Sequence, residues 1–208
     1  MKNPWEEIAL ETYEKHMSLD SVRQLQALDR IMAKQLTAYN TETAMILGVA
    51  GGNGLSHIRR AQYRRVYGVD INAEYLDAAA ARYPQLAGVL ECLRVDLTAE
   101  SAKLPQAQLV IADLLIEYIG YPAFQRAVRQ SAAEYVSCVI QINTDAAQWV
   151  SDSPYLHAFD GLDAVHHQME PAALTAAMRG IGYTAILKET EPLPNGKALV
   201  RLDYQHGN

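Results

Sequence analysis

The stretch Ile46-Leu47-Gly48-Val49-Ala50-Gly51-Gly52-Asn53-Gly54-Leu55 sets an apolar run against four glycines in seven positions. Glycine allows positive φ and lets the backbone approach a ligand closely. A helix after such a loop would also point free N–H groups at that ligand. Four glycines exceed what a plain strand-to-helix turn needs, so the loop reads as one wall of a binding site. Polar residues then close four later apolar runs: Asp70, Asp96, Asp113 and Asn143. Singly, each could be a helix N-cap. Together with the glycine loop they describe one polar rim. Proton transfer at that rim needs groups that can gain or lose a proton, and the nearest are Asp113, Glu117 and Tyr118. His16, in Tyr-Glu-Lys-His-Met, could reach the same place from the N-terminal side.

These residues need a frame. Short apolar runs at 44–49, 65–69, 90–95, 109–112 and 135–142 have the length and branching of strands buried on both faces. Helices are expected at 55–64, 73–82, 121–132 and 171–180. Strand and helix alternate, which predicts a doubly wound, mostly parallel α/β sheet. In such sheets ligands sit outside the carboxyl ends of the strands, where the polar residues fall. At the end of the chain, runs at 183–189 and 197–204 flank Pro192 to Gly196, a turn that predicts an antiparallel hairpin. Ahead of the first strand, Leu25, Leu28, Met32 and Leu36 recur at helical spacing. Ser18 to Ser21 are candidate caps for that helix, and a shorter helix is expected from Trp5 to His16. The division is a helical segment at residues 1–40 and a ligand-binding domain at 41–208.

With 208 residues the chain suits one domain. Eighteen Lys and Arg stand against 24 Asp and Glu, a net charge of −6 that disfavours a nucleic-acid surface. The one basic cluster, Arg59-Arg60 and Arg64-Arg65, reads as the solvated C-terminus of the helix at 55–64. No apolar run approaches the ~20 residues of a bilayer span, and the first residues lack a signal-peptide pattern. Cys92 and Cys138 are isolated in apolar segments, without metal-ligand spacing. These features point to a cytoplasmic protein without a metal or a membrane contact.

At this point residues 44–204 resemble the class I S-adenosylmethionine-dependent methyltransferases. The glycine motif of that family, D/E-x-G-x-G-x-G, falls on residues 48–54, with Gly48 in place of the acidic residue and Ala50 in place of the first glycine. The resemblance implies a Rossmann-like, seven-stranded sheet with an antiparallel C-terminal hairpin, and an N-terminal helical lid at residues 1–40 from which His16 could reach substrate. It also implies S-adenosylmethionine held by Gly48, Ala50, Gly52, Asn53 and Gly54. Asp70 would bind the ribose hydroxyls and Ile71 would pack on the adenine. Asp96 would accept from the adenine amino group, with Leu97 beside it. Asp113 falls where methyl transfer takes place, so Asp113, Glu117, Tyr118 and His16 are the catalytic candidates. The contact usually made by the acidic residue must come from elsewhere. Of the pair His166-His167, an extended backbone would send at most one side chain inward. Strand five ends in Ile-Asn-Thr-Asp, which does not support a catechol-type magnesium site.

The expected reaction is methyl transfer to a small molecule. Three alternatives stay open: an RNA methyltransferase, an NAD(P)-binding oxidoreductase, or a non-catalytic binder of S-adenosylmethionine. The spacing Gly48-xxx-Gly52-x-Gly54 matches short-chain dehydrogenases, yet no tyrosine here has lysine four residues on.

Overall fold

A computed structural model describes residues 3–143 and 149–207. Five strands, β1 (Thr43–Leu47), β2 (Arg65–Asp70), β3 (Leu90–Arg94), β4 (Leu109–Asp113) and β5 (Tyr135–Ile142), pair in parallel. Strands β6 (Tyr183–Pro192) and β7 (Ala198–His206) form the terminal hairpin, with β7 antiparallel to both β5 and β6. The order β3-β2-β1-β4-β5-β7-β6 makes one seven-stranded sheet, and its winding reverses between β1 and β4. The expected doubly wound sheet and its antiparallel ending are both present.

Alternation along the central strands explains the two layers of helices. Met45 and Leu47 of β1, with Val110 and Ala112 of β4, pack with Phe124 and Val128 of α4 (Ile116–Ser131). The same layer takes Leu174 and Met178 from α5 (Pro171–Arg179). The intervening residues Ala44, Ile46, Leu109 and Ile111 face the other way. They meet Met32 and Leu36 of α2 (Gln24–Ala38) and Leu76 and Ala79 of α3 (Ala73–Arg82). β1 is buried at every position, as expected of a central parallel strand.

Before this layer, α1 (Leu10–Ser18) and a short 3₁₀ turn (Pro4–Glu6) lie across the carboxyl end of the sheet. Two salt bridges join them to the body, Glu14 to Arg82 and Glu6 to Arg94. Asn72 caps α3 by accepting from Glu74 N at 3.0 Å, and its Nδ2 donates to the Trp5 carbonyl at 3.0 Å. Tyr75 adds a bond from its hydroxyl to the Ile8 carbonyl, 2.8 Å.

Three expectations need correction. Residues 55–64 form no α-helix: a 3₁₀ turn (Leu55–His57) leads into a tight turn. The chain turns extended at Ile58 (φ −67°, ψ 119°) after that one turn, and α2 packs closely on the loop, where a Cβ on Gly54 would lie 2.6 Å from Met32 Sδ. Arg59, Arg60, Arg64 and Arg65 therefore cap no helix. Arg64 and Arg65 pair with Glu42 and Glu91, and Arg60 donates to the Gln85 carbonyl. Finally, Ser18 to Ser21 do not cap α2. Its N-cap is Arg23 at φ 52°, because the buried Val22 and Arg23 close a turn on the Leu19 carbonyl.

Helix α4 explains how Glu117 and Tyr118 reach the rim. Gly120, at φ 71° and ψ 166°, breaks it after one turn, with Pro122 just beyond. The turn before the break points across the strand ends and not along the helix.

Candidate active site

Two chambers open side by side at the carboxyl ends of β1, β2, β4 and β5, each of about 680 Å³. Trp5, Tyr13, Leu114 and Tyr118 line both and so form the partition. The first chamber takes Gly48, Ala50, Asp70, Ile71, Asp96 and Leu97 from the rim, and Asp113 stands at its floor. Gly52, Asn53 and Gly54 line neither chamber. Gly52 and Gly54 have positive φ, 87° and 82°, and a Cβ on Gly52 would meet Leu55 at 2.8 Å. Asn53 donates to the Leu25 carbonyl, 3.1 Å, and so ties the loop to α2.

Asp70 is the anchor of the first chamber. Its Oδ2 accepts from Ala50 N and its Oδ1 from Asn72 N, both at 2.9 Å. Burial raises its pKa, and the amides that donate to it oppose the rise. The carboxylate keeps accepting capacity for a ligand hydroxyl. Asp96 is exposed at the mouth, where its Oδ1 accepts from Thr98 N at 2.9 Å.

The family's acidic position is closed here. Gly48 sits at φ 71°, and a Cβ added to it would meet Leu115 Cδ1 at 3.1 Å. A nearby carboxylate is available instead. Asp113 Oδ1 accepts from Gln35 Nε2 at 2.8 Å, while its buried Oδ2 has no hydrogen-bond partner among the described residues. Burial pushes its pKa up to about 7. The next residue, Leu114, holds φ 54°, a strained geometry for a branched side chain at the partition.

The second chamber is aromatic with one buried acid. Trp5 meets Tyr118 edge to face at 4.8 Å, and Trp149 stacks on His166 at 3.8 Å. Glu117 is only 4% exposed, and its Oε1 accepts from Gln141 N at 2.9 Å. Its Oε2 is buried without a hydrogen-bond partner among the described residues. Burial first, and the Asp113 charge as a lesser cause, lift its pKa to about 7. His16 lines this chamber, where its Nδ1 lies 2.7 Å from Ser153 Oγ. Desolvation drives its pKa down to about 4, with the positive charge of Lys197 adding to the effect.

Asn143 also lines the second chamber, and of the two adjacent histidines His166 does so while His167 does not. Thr144 and Asp145 lie outside the described residues. The partition residue Trp5 and the chamber residues Trp149 and Phe159 carried no sequence signal, because an isolated aromatic has no periodicity or spacing to announce it. Gln35 was equally silent, one polar residue on an apolar helix face.

No family model and no curated relative matches the chain. Solved structures do. Magnesium protoporphyrin IX methyltransferase from Synechocystis PCC 6803, with bound S-adenosylmethionine, superposes with a TM-score of 0.72 at 9% identity, over 100% of this chain and 98% of that one. The fold is that of the class I S-adenosylmethionine-dependent methyltransferases. A geranyl diphosphate methyltransferase matches with a TM-score of 0.68 at 10% identity, covering 89% of this chain and 86% of the other. The [4+2]-cyclase SpnF matches with a TM-score of 0.71 at 8% identity, over 98% and 95% of the two chains. The methyltransferase fold thus appears around more than one chemistry, and the site must carry the functional argument. Among the described residues no helix is long and apolar enough to cross a membrane, and no cluster of metal ligands occurs.

Proposed function

We propose that the protein transfers a methyl group from S-adenosylmethionine to a small molecule held in the second chamber. One observation carries this reading: the two chambers share a partition, so a donor in the first presents its reactive end to the second. Asp70 binds the ribose hydroxyls with its remaining accepting capacity, Ile71 and Leu97 face the adenine, and Asp96 accepts from its amino group. The unpartnered Oδ2 of Asp113 holds the methionine ammonium, the task that Gly48 has no side chain to perform. The donor supplies an already activated methyl group. The chain's own contribution is alignment and exclusion of water, with Tyr118 and Leu114 at the point of transfer and His16 on the far wall. Of the lid expected at residues 1–40, we assign the covering role to residues 3–18, tied down by the bridges from Glu6 and Glu14, since α2 packs Met32 and Leu36 against the sheet.

The partner is a small molecule and not a nucleic acid. The net charge is −6, and neither Lys nor Arg lines the second chamber among the described residues. The dinucleotide reading loses its main support with the missing helix, since a pyrophosphate is usually met by a helix N-terminus after the glycine loop. A cytoplasmic setting fits this substrate class. Isothermal titration with S-adenosylmethionine, S-adenosylhomocysteine and NADPH tests the reading. The two sulfur compounds should bind and NADPH should not; binding of NADPH alone would overturn it.

A further inference from the structure

Glu117 is the one acid among the described residues that line the second chamber, and neither Lys nor Arg lines that chamber with it. Glu117 Oε2 is buried with no hydrogen-bond partner among the described residues, an arrangement that costs stability until a ligand group meets it. Gln141 cannot be that donor. Its Nε2 hydrogens go to Asn143 Oδ1 at 2.7 Å and the Trp149 carbonyl at 2.8 Å, and its Oε1 accepts from Gln24. The two histidines of the chamber are disfavoured as cations, and the nearby ammonium is engaged elsewhere. His16 is held neutral by burial, and burial likewise lowers the pKa of His166. The Lys197 ammonium donates to the Trp149 carbonyl at 2.6 Å and does not line the chamber. The walls are rings: Trp5, Tyr13, Tyr118, Trp149 and Phe159. Ring faces attract cations, most strongly where water is excluded.

We infer that the acceptor is a primary or secondary amine, bound as its ammonium ion against Glu117 within this aromatic wall. The inference rests on the proposed methyl transfer and deepens it by naming the substrate class. An ammonium satisfies Glu117 Oε2 and the ring faces together, and no Lys or Arg side chain lines the chamber among the described residues to compete with it. A carboxylate or phosphate acceptor would face Glu117 with like charge. The step balances. Glu117 takes one N–H proton, the freed nitrogen lone pair forms the new N–C bond to the methyl carbon, and the C–S electron pair returns to sulfur. The methylated amine leaves as a cation and the Glu117 proton passes to solvent.

The test compares 2-phenylethylamine with 2-phenylethanol, equal in size and different in charge, by calorimetric titration of the full chain with and without S-adenosylhomocysteine. The amine should bind at least tenfold more tightly. Glu117→Gln should erase that preference. Trp149→Leu, which leaves the carboxylate in place, should weaken the amine more than the alcohol. An alcohol that binds as well as the amine, or an amine that fails to bind at millimolar concentration, overturns the inference. Failure of S-adenosylhomocysteine to bind would instead strike the methyl-transfer proposal, while the titrations without it still read the chamber's charge preference.

Discussion

The Asp70 carboxylate accepts a hydrogen bond from the Ala50 amide at 2.9 Å, which fastens the end of β2 to the loop that leaves β1. The same carboxylate accepts from Asn72 N, and Asn72 in turn holds the Trp5 carbonyl of the lid segment. One acid therefore sets the glycine loop, the start of α3 and, through it, the cover of the first chamber. Asp70→Ala should weaken S-adenosylmethionine binding by about 1–3 kcal/mol, since both ligand and loop contacts go. Calorimetric titration reads the loss. Unchanged affinity would place the ribose elsewhere.

Ala50 itself is strained. It holds φ 46°, where a Cβ crowds the backbone and where the related motif carries glycine. Left-handed backbone costs an ordinary residue roughly 1–2 kcal/mol. Ala50→Gly should therefore raise stability by about 1 kcal/mol, allowing for the greater freedom of glycine in the unfolded chain. Urea unfolding followed by circular dichroism gives the value, with a shift of the midpoint to higher urea expected.

Glu117 makes stability depend on pH. Its pKa is raised from 4.5 to about 7, so the folded chain keeps a proton that the unfolded chain releases between those values. That contribution is complete below about pH 4.5 and is lost as pH rises through 7. The loss is ~3 kcal/mol on the 1.36 kcal/mol per pKa unit scale. His16 acts oppositely, since its lowered pKa costs stability as pH falls from 6.5 toward 4. In thermal melts of the unliganded protein, wild type should therefore lose more Tm between pH 5 and 8 than Glu117→Gln does. Parallel Tm profiles would show that Glu117 is not protonated in the fold.

Behind the site, Arg201 and Asp203 form an ion pair, 4% and 0% exposed, with Arg201 Nε donating to Asp203 Oδ1 at 2.9 Å. Tyr39 and Ser137 complete the acid's hydrogen bonds at 2.7 and 2.5 Å, locking β7 against β5. Asp203→Asn should cost about 3–5 kcal/mol, because the guanidinium stays buried without its counter-charge. The double change Arg201→Met with Asp203→Leu should recover most of that loss in urea unfolding. A double variant as weak as the single one would assign the cost to packing.

The lid bridges are half exposed, so each contributes little alone. Arg82 nevertheless holds both oxygens of Glu14, with Oε2 at 2.8 Å, and donates to the Gly51 carbonyl at 3.1 Å. Arg82→Ala should speed release of S-adenosylhomocysteine severalfold in stopped-flow fluorescence and leave the melting temperature within a few degrees. An unaltered release rate would separate residues 3–18 from ligand retention.

The sequence by itself determined the sheet. β5 lies at the positions its apolar run marked, and α3 matches its expected span, because both signals are local: short branched runs make buried strands, and helical spacing makes an apolar face. The rim was legible for the same reason, since Asp70 and Asp113 end their strands, Asn143 follows β5 directly and Asp96 lies two residues past β3. Tertiary structure decided what local pattern cannot encode. The chain turns extended at Ile58 where a helix was expected at 55–64, and the break at Gly120 sets Glu117 and Tyr118 apart from the rest of α4. Trp5, Gln35 and Trp149 lie far apart in the chain, and only folding sets them around Asp113 and Glu117. Proximity through space carries no signature in spacing, so the sheet could be read from the chain and the chamber walls could not.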